Sequence, residues 1–160
     1  MTQPTIAFIG AGNMAGSLIN GLISDGYDPA CILASDTNAA ALAAMSRRTG
    51  VRTTADNAVA ADADVVVLAV KPQMLQGVAR EIAPIVQRRR PLVISIAAGI
   101  REDALEGWLG GGVALVRTMP NTPAMIGDGA TVLHASPGVT EEQRDSAESI
   151  LRSVGLTRWV

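Results

Sequence analysis

Residues Phe8 to Leu22 read FIGAGNMAGSLINGL. A hydrophobic run ends at Gly10, a second glycine follows at Gly12, and the chain then takes up helical spacing. Glycine loses more backbone entropy on folding than other residues, so two this close answer a need that a side chain would forbid. The pattern predicts a buried strand over Thr5 to Ile9 and a helix over Asn13 to Ser24, with Met14, Leu18 and Leu22 on one face and Asp25-Gly26 as the stop. Gly10 then supplies a tight turn, and Gly12 lets a ligand approach the backbone. Ala15 fills the third small position of a G-x-G-x-x-G/A pattern, where helix and strand pack closely. Free N–H groups and the dipole at the start of that helix favour an anion such as a pyrophosphate.

The next strand, expected over Ile32 to Ser35, runs into Asp36, about twenty residues past the glycine pattern. An acid there bonds adenosine ribose hydroxyls and favours NAD, whereas NADP needs donors or positive charge. A helix N-cap is the other reading of Asp36. Ser35, Thr37 and Asn38 carry donors nearby, and Arg47 and Arg48 are the cations next in reach along the chain.

Further on, helices alternate with strands. Ala39 to Thr49 reads as a helix, Val51 to Thr53 as a short strand and Val65 to Val70 (VVVLAV) as a buried parallel strand. Lys71-Pro72 opens a helix whose Leu75, Val78, Ile82 and Ile85 recur at helical spacing. Strands are expected at Leu92 to Ile96, Val113 to Thr118, Ala130 to His134 and Leu156 to Trp159. Between them lie a short helix over Arg101 to Leu109 and one that starts with a Thr140/Gln143 capping box and carries Ala147, Ile150, Leu151 and Val154. This order predicts an α/β fold: a doubly wound, Rossmann-type sheet, mostly parallel, with right-handed crossovers and helices on both faces. Ligands bind such sheets beyond the carboxyl ends of the strands, which gathers Ala69-Val70-Lys71, Ala97-Ala98-Gly99 and the Met119-Pro120-Asn121-Thr122 loop at one edge.

Composition agrees with a single aliphatic-cored domain: 160 residues, 48% hydrophobic, only 2% aromatic and a net charge of -2. That balance leaves no electrostatic footprint for nucleic acid or an anionic membrane. One cysteine, Cys31, excludes an internal disulfide and is read as packing at a strand entrance. With no basic leader and no apolar run near about 18 residues, the expected compartment is cytoplasmic. A single histidine, His134, cannot build a metal cluster or a Ser-His triad. Lys71 is read as a helix-entry residue lining the site and not as a catalytic amine, because the sequence sets no evident activating partner beside it. Arg88 to Arg90 is read as a solvated helix end, and Trp108 and Trp159 as packing residues.

Four segments together, FIGAGNMA (Phe8 to Ala15), AVKPQ (Ala69 to Gln73), SIAAGI (Ser95 to Ile100) and RTMPNTPA (Arg117 to Ala124), resemble pyrroline-5-carboxylate reductases along the whole chain. The resemblance implies reduction of 1-pyrroline-5-carboxylate to L-proline with NADP(H) or NAD(H), residues 1–160 forming the dinucleotide-binding domain. It further implies cofactor contacts at Gly12, Asn13, Met14, Ser35, Asn57, Ala69, Lys71, Ala97 and Asn121. In the family an all-helical second domain forms the homo-oligomer and most of the substrate pocket; its residues would follow position 160. Asp36 departs from the small polar or basic residues common there, which weakens the case for a strong NADP preference. Two other functions fit the glycine pattern: a dinucleotide-sensing module without catalysis, or another imine or β-hydroxyacid reductase.

Overall fold

A computed structural model describes residues 3–97, 99–120, 129–153 and 155–160. Eight strands form one sheet in the order β3-β2-β1-β4-β5-β6-β7-β8. They are β1 (Ile6–Ile9), β2 (Ile32–Ser35), β3 (Arg52–Thr54), β4 (Val65–Leu68), β5 (Leu92–Ser95), β6 (Ala114–Pro120), β7 (Gly129–Ala135) and β8 (Gly155–Trp159). Every pair is parallel except β6 with β7, in register Arg117 opposite His134. The helices are α1 (Asn13–Ser24), α2 (Ala39–Thr49), α3 (Asn57–Ala60), α4 (Pro72–Arg89), α5 (Glu102–Trp108) and α6 (Glu141–Arg152). The expected doubly wound architecture is therefore present.

Alternation along the strands sorts the core into two layers. Ile6, Phe8, Val65, Val67 and Ile94 face α1, α2 and α6, whose Leu18, Ile19, Met45 and Ile150 meet them. Ala7, Ile9, Val66, Leu68 and Val93 face α3, α4 and α5 across Ala60, Leu75, Ile82 and Leu105. Both faces of the central strands are thus removed from water, which is why they are unbroken aliphatic runs. Each such side chain contributes roughly 1.5–3 kcal/mol when fully buried.

Local chemistry sets the boundaries. The Thr140/Gln143 capping box forms in both directions, with Thr140 N–H donating to Gln143 Oε1 and Gln143 N–H to Thr140 Oγ1. α2 stops at Gly50 in the left-handed region, φ 79°. Two short elements escape periodic reading, a 3-10 turn at Pro29–Cys31 and α3. The α4 stripe also differs from expectation. Its buried residues are Leu75, Ala79, Ile82 and Val86, while Val78 and Ile85 lie half-buried on the flanks. Ala79 takes the inward position, and Val78 lines the cleft at the carboxyl edge instead.

At the amino edge Asp64 accepts from Thr5 N–H (2.9 Å) and from Arg89 (2.8 Å). Those bonds hold its carboxyl below the usual carboxylate range. Arg89 also reaches Asp62, so this part of the Arg88 to Arg90 helix end is paired with acids. Among the described residues no helix is long and apolar enough to cross a membrane.

Gly10 has φ +107°, and a Cβ there would lie 2.7 Å from the Ala69 carbonyl oxygen. Gly10→Ala should therefore cost about 2–4 kcal/mol through backbone strain and overlap. A Cβ on Gly12 meets nothing within 4 Å, and Gly12→Ala should cost less than about 1 kcal/mol. Denaturant titrations of both variants check the contrast.

Candidate functional site

The site is assembled where β1 ends between β2 and β4, the point at which the strand order reverses. Gly10 N–H donates to the Ser35 carbonyl at 2.8 Å, and Ala69 N–H donates to the Ile9 carbonyl at 2.8 Å. These bonds draw the ends of three strands together. The chain then opens at Gly12, the N-cap of α1, with φ -84° and ψ -164°. α1 has no side-chain cap and no acid in its first turn. The first-turn N–H groups of Asn13 and Met14 have no intrahelical acceptor and face the edge where the glycine loop opens. With the helix dipole they form an anion cradle that a side chain at Gly12 would fill.

A cleft of about 320 Å³ lies against this cradle. Gly10, Gly12, Ser35, Asp36, Asn57, Ala69, Val70 and Lys71 all line it. Asn13 and Met14 stand beside it in the first turn of α1. Ala97 follows β5 as a half-buried residue outside this lining. Ala98 and Asn121 fall outside the described residues. Thr37, read from the sequence as a nearby donor, lines the cleft as well, and so do Met74 and Val78, which sequence reasoning did not place there. Met74 is 57% exposed and shares a face of α4 with Val78, so an i,i+4 apolar pair outside the core stripe was their signal.

Asp36 holds the loop itself. Its Oδ2 accepts from Ala11 N–H at 2.8 Å and its Oδ1 from Asn38 N–H at 2.9 Å. The N-cap of α2 is Asn38, which accepts from Ala41 N–H, so the capping alternative for Asp36 does not hold. Arg47 and Arg48 sit in the last turn of α2 and neither lines the cleft. The reason is geometric: α2 leaves the carboxyl edge and runs back toward the opposite one. Arg48 instead lies near Gly16 of α1, 3.0 Å from where a Cβ would be.

Asn57 is the first residue of α3, which Asp56 caps through the N–H groups of Ala58 and Val59. Its Oδ1 accepts from Ser35 Oγ at 2.8 Å, and its Nδ2 donates to Glu81 Oε1 at 2.8 Å. Ser35 is fully buried. Lys71 is the N-cap residue of α4, with Pro72 beginning the helix behind it, and its side chain is exposed beside the cleft. Farther along the edge, Arg117 donates from Nη1 to the Ile100 carbonyl at 3.1 Å, tying the β5–α5 loop to β6. His134 faces Glu102 at 3.4 Å, away from the cleft lining. Trp159 packs under Arg144, whose guanidinium lies 4.3 Å from the ring centroid.

A second cavity of about 270 Å³ opens at the amino edge among Ile6, Tyr27, Val65 and Ile150. It is mostly apolar, and no glycine loop borders it. Volume does not choose the site, since clefts of about 390 and 470 Å³ open elsewhere on the surface; the uncapped helix start and the open Gly12 backbone select the first.

A doubly wound sheet with a glycine loop and an anion cradle at its switch point defines a dinucleotide-binding domain of the Rossmann type. Residues 5–99 match the family described as NADP oxidoreductase coenzyme F420-dependent, and the chain belongs to that family. It is 46% identical over 161 residues to the pyrroline-5-carboxylate reductase of Pseudomonas aeruginosa and 43% identical to that of Vibrio alginolyticus. Each match covers 100% of this chain but 59% of the relative. Among solved structures, a pyrroline-5-carboxylate reductase from Coxiella burnetii superposes with TM-score 0.97 at 44% identity, covering 99% of this chain and 59% of that one. A Plasmodium falciparum pyrroline carboxylate reductase with NADP bound shares the fold at TM-score 0.86 and 24% identity, covering 100% of this chain and 58% of its own. The resemblance read from the four sequence segments thus extends along the whole chain.

Two outcomes follow from the loop. Gly12→Val should leave the protein folded while weakening NADH binding at least tenfold, because the added branches occupy the space against the α1 amides; calorimetric titration with a melting curve checks both. Asp36→Ala unties two backbone N–H groups and should lower stability by about 1–3 kcal/mol. It should weaken NADH and NADPH together if holding the loop is its main task, which parallel titrations of the two nucleotides would show.

Proposed function

We propose that this chain is the cofactor-binding domain of an NAD(P)H-dependent reductase that converts 1-pyrroline-5-carboxylate to L-proline. The observation that carries the reading is the match to pyrroline-5-carboxylate reductases over 100% of this chain, at up to 46% identity. The chain spans 59% of the length of those relatives, so the complete reaction is assigned to a longer assembly than these residues alone. When bound, the nicotinamide cofactor supplies a hydride for the imine carbon.

The chain's own residues hold and orient that cofactor. The N–H groups of Asn13 and Met14 take the pyrophosphate, and Gly12 leaves room for it. Asp36 and Ser35 border the space for the adenosine ribose, and Val70, Met74 and Val78 form an apolar wall beside it. Lys71 adds a cation at the rim, as a binding residue and not a catalytic one. The small Ala97 and the loop anchored by Arg117 continue the floor toward the far end of the edge. Asn121 and Ala98 lie outside the described residues and are proposed as cofactor contacts from the sequence pattern alone. A single unpaired cysteine, Cys31, suits a reducing, cytoplasmic setting.

Among the described residues, the side chains at the cleft include no wall that would enclose a cyclic imine or exclude water from it. Alignment of reactants is worth about 7–11 kcal/mol of barrier in favourable cases, and a helical domain of the kind found in the resembled family would provide it. The expected result is that these 160 residues bind NADH or NADPH yet reduce pyrroline-5-carboxylate orders of magnitude more slowly than a chain continuing into a helical domain. Calorimetry with both nucleotides and steady-state absorbance assays of both proteins test this. Equal rates would place the catalytic site within residues 1–160, and failure to bind either nucleotide would remove the cofactor assignment.

A further inference from the structure

A three-residue relay backs the cleft. Ser35 Oγ lies 2.8 Å from Asn57 Oδ1, and Asn57 Nδ2 lies 2.8 Å from Glu81 Oε1. Ser35 and Asn57 line the cleft. Glu81 stands one turn beyond Val78 on α4, exposed to solvent at the rim.

The direction of this relay follows from the last group in it. An ionised carboxylate only accepts hydrogen bonds, so the amide atom facing Glu81 is the NH2 group. The amide oxygen therefore faces Ser35, and the Ser35 hydroxyl has to spend its one proton on Asn57. Ser35 is fully buried in the floor of the cleft it lines, so all that Oγ has left to offer a ligand settling there is lone pairs and no donor. Asp36 beside it is likewise an acceptor. This wall suits a ligand that brings donors, as a ribose with a free 2′-hydroxyl does. A 2′-phosphate brings only acceptors and negative charge, and it would meet the Asp36 carboxylate, with Glu81 outside the lining behind Asn57. The groups on the other side of the balance are Lys71, the Thr37 hydroxyl and the second N–H of Asn57. Arg47 and Arg48, the remaining cations near in sequence, sit in the last turn of α2 and do not line the cleft.

We propose that Glu81 is a positioning residue that sets cofactor specificity: it orients the Asn57 amide, turns the Ser35 hydroxyl away from the cleft and biases this domain toward NADH over NADPH. The inference rests on the reading of this cleft as the dinucleotide site. Glu81 touches neither cofactor nor substrate; it acts through Asn57. Glutamine in its place both donates and accepts, so the amide is free to turn over. Lysine in its place only donates, which reverses the relay and frees the Ser35 proton for a phosphate.

The test is the ratio of NADPH to NADH dissociation constants, measured by calorimetry on the same 160-residue chain. The wild type should bind NADH more tightly. Glu81→Gln should shift the ratio several-fold toward NADPH with NADH affinity little changed, and Glu81→Lys should shift it by about tenfold or more. Both residues are good helix formers at an exposed position, so folding should be retained. The same substitutions on a Ser35→Ala background separate the relay from simple charge, because no hydroxyl proton remains to redirect. A clearly smaller shift there supports the relay. An undiminished shift overturns it in favour of charge acting through space, and an unchanged ratio in the Glu81 variants overturns it outright. Failure of the wild type to bind either nucleotide would instead refute the cofactor reading of the cleft, and the relay with it.

Discussion

The passage of Gly10 against the Ala69 backbone is the contact on which the rest of the site depends. A Cβ at that position would overlap the Ala69 carbonyl oxygen at 2.7 Å, and the backbone there adopts φ +107°. With no side chain in the way, the end of β1 bonds to β2 through the Ser35 carbonyl and receives a bond from β4 through Ala69 N–H. That pinch places Ser35, Asp36, Ala69, Val70 and Lys71 around one opening. It also sets the angle at which α1 leaves the sheet, and so the direction of the N–H groups that a pyrophosphate would meet.

The two glycines of the loop therefore have different tasks. Gly10 serves the fold, because it is crowded and strained for any other residue. Gly12 leaves room for a ligand, because the space beside it is empty and its backbone is extended. Asp36 joins the two tasks. By accepting from Ala11 N–H it holds the loop between them, and its remaining lone pairs still face the cleft. An acid at the end of the second strand thus shapes the glycine loop as well as lining the cleft. In the proposed reductase both contributions act before any chemistry, on where the cofactor sits.

Much of this was legible in the sequence because it rests on local rules. The alternation of aliphatic strands with amphipathic helices follows from burial on both faces of a parallel sheet. The turn at Gly10, the capping box at Thr140 and Gln143, and the proline entry to α4 are fixed by neighbours within a few residues. The misses have physical causes too. α3 has four residues, too few for a helical period to show. Val78 matched the core spacing as well as Ala79 did, and only the packed orientation of α4 decided that Ala79 faces inward.

Sequence alone determined the fold class, the glycine loop and the edge at which the candidate residues gather, since each depends on residue type and short-range spacing. Tertiary structure alone decided which polar groups are committed to one another. The two hydrogen bonds of Asp36, the removal of Arg47 and Arg48 to the far end of α2, and the meeting of Ser35, Asn57 and Glu81 all join or separate groups by crossings between elements. Ser35 and Asn57 are 22 residues apart, and Asn57 and Glu81 are 24 apart. Hydrogen bonds act only at contact distance, and contacts of that kind exist only once the sheet has brought the strand ends together.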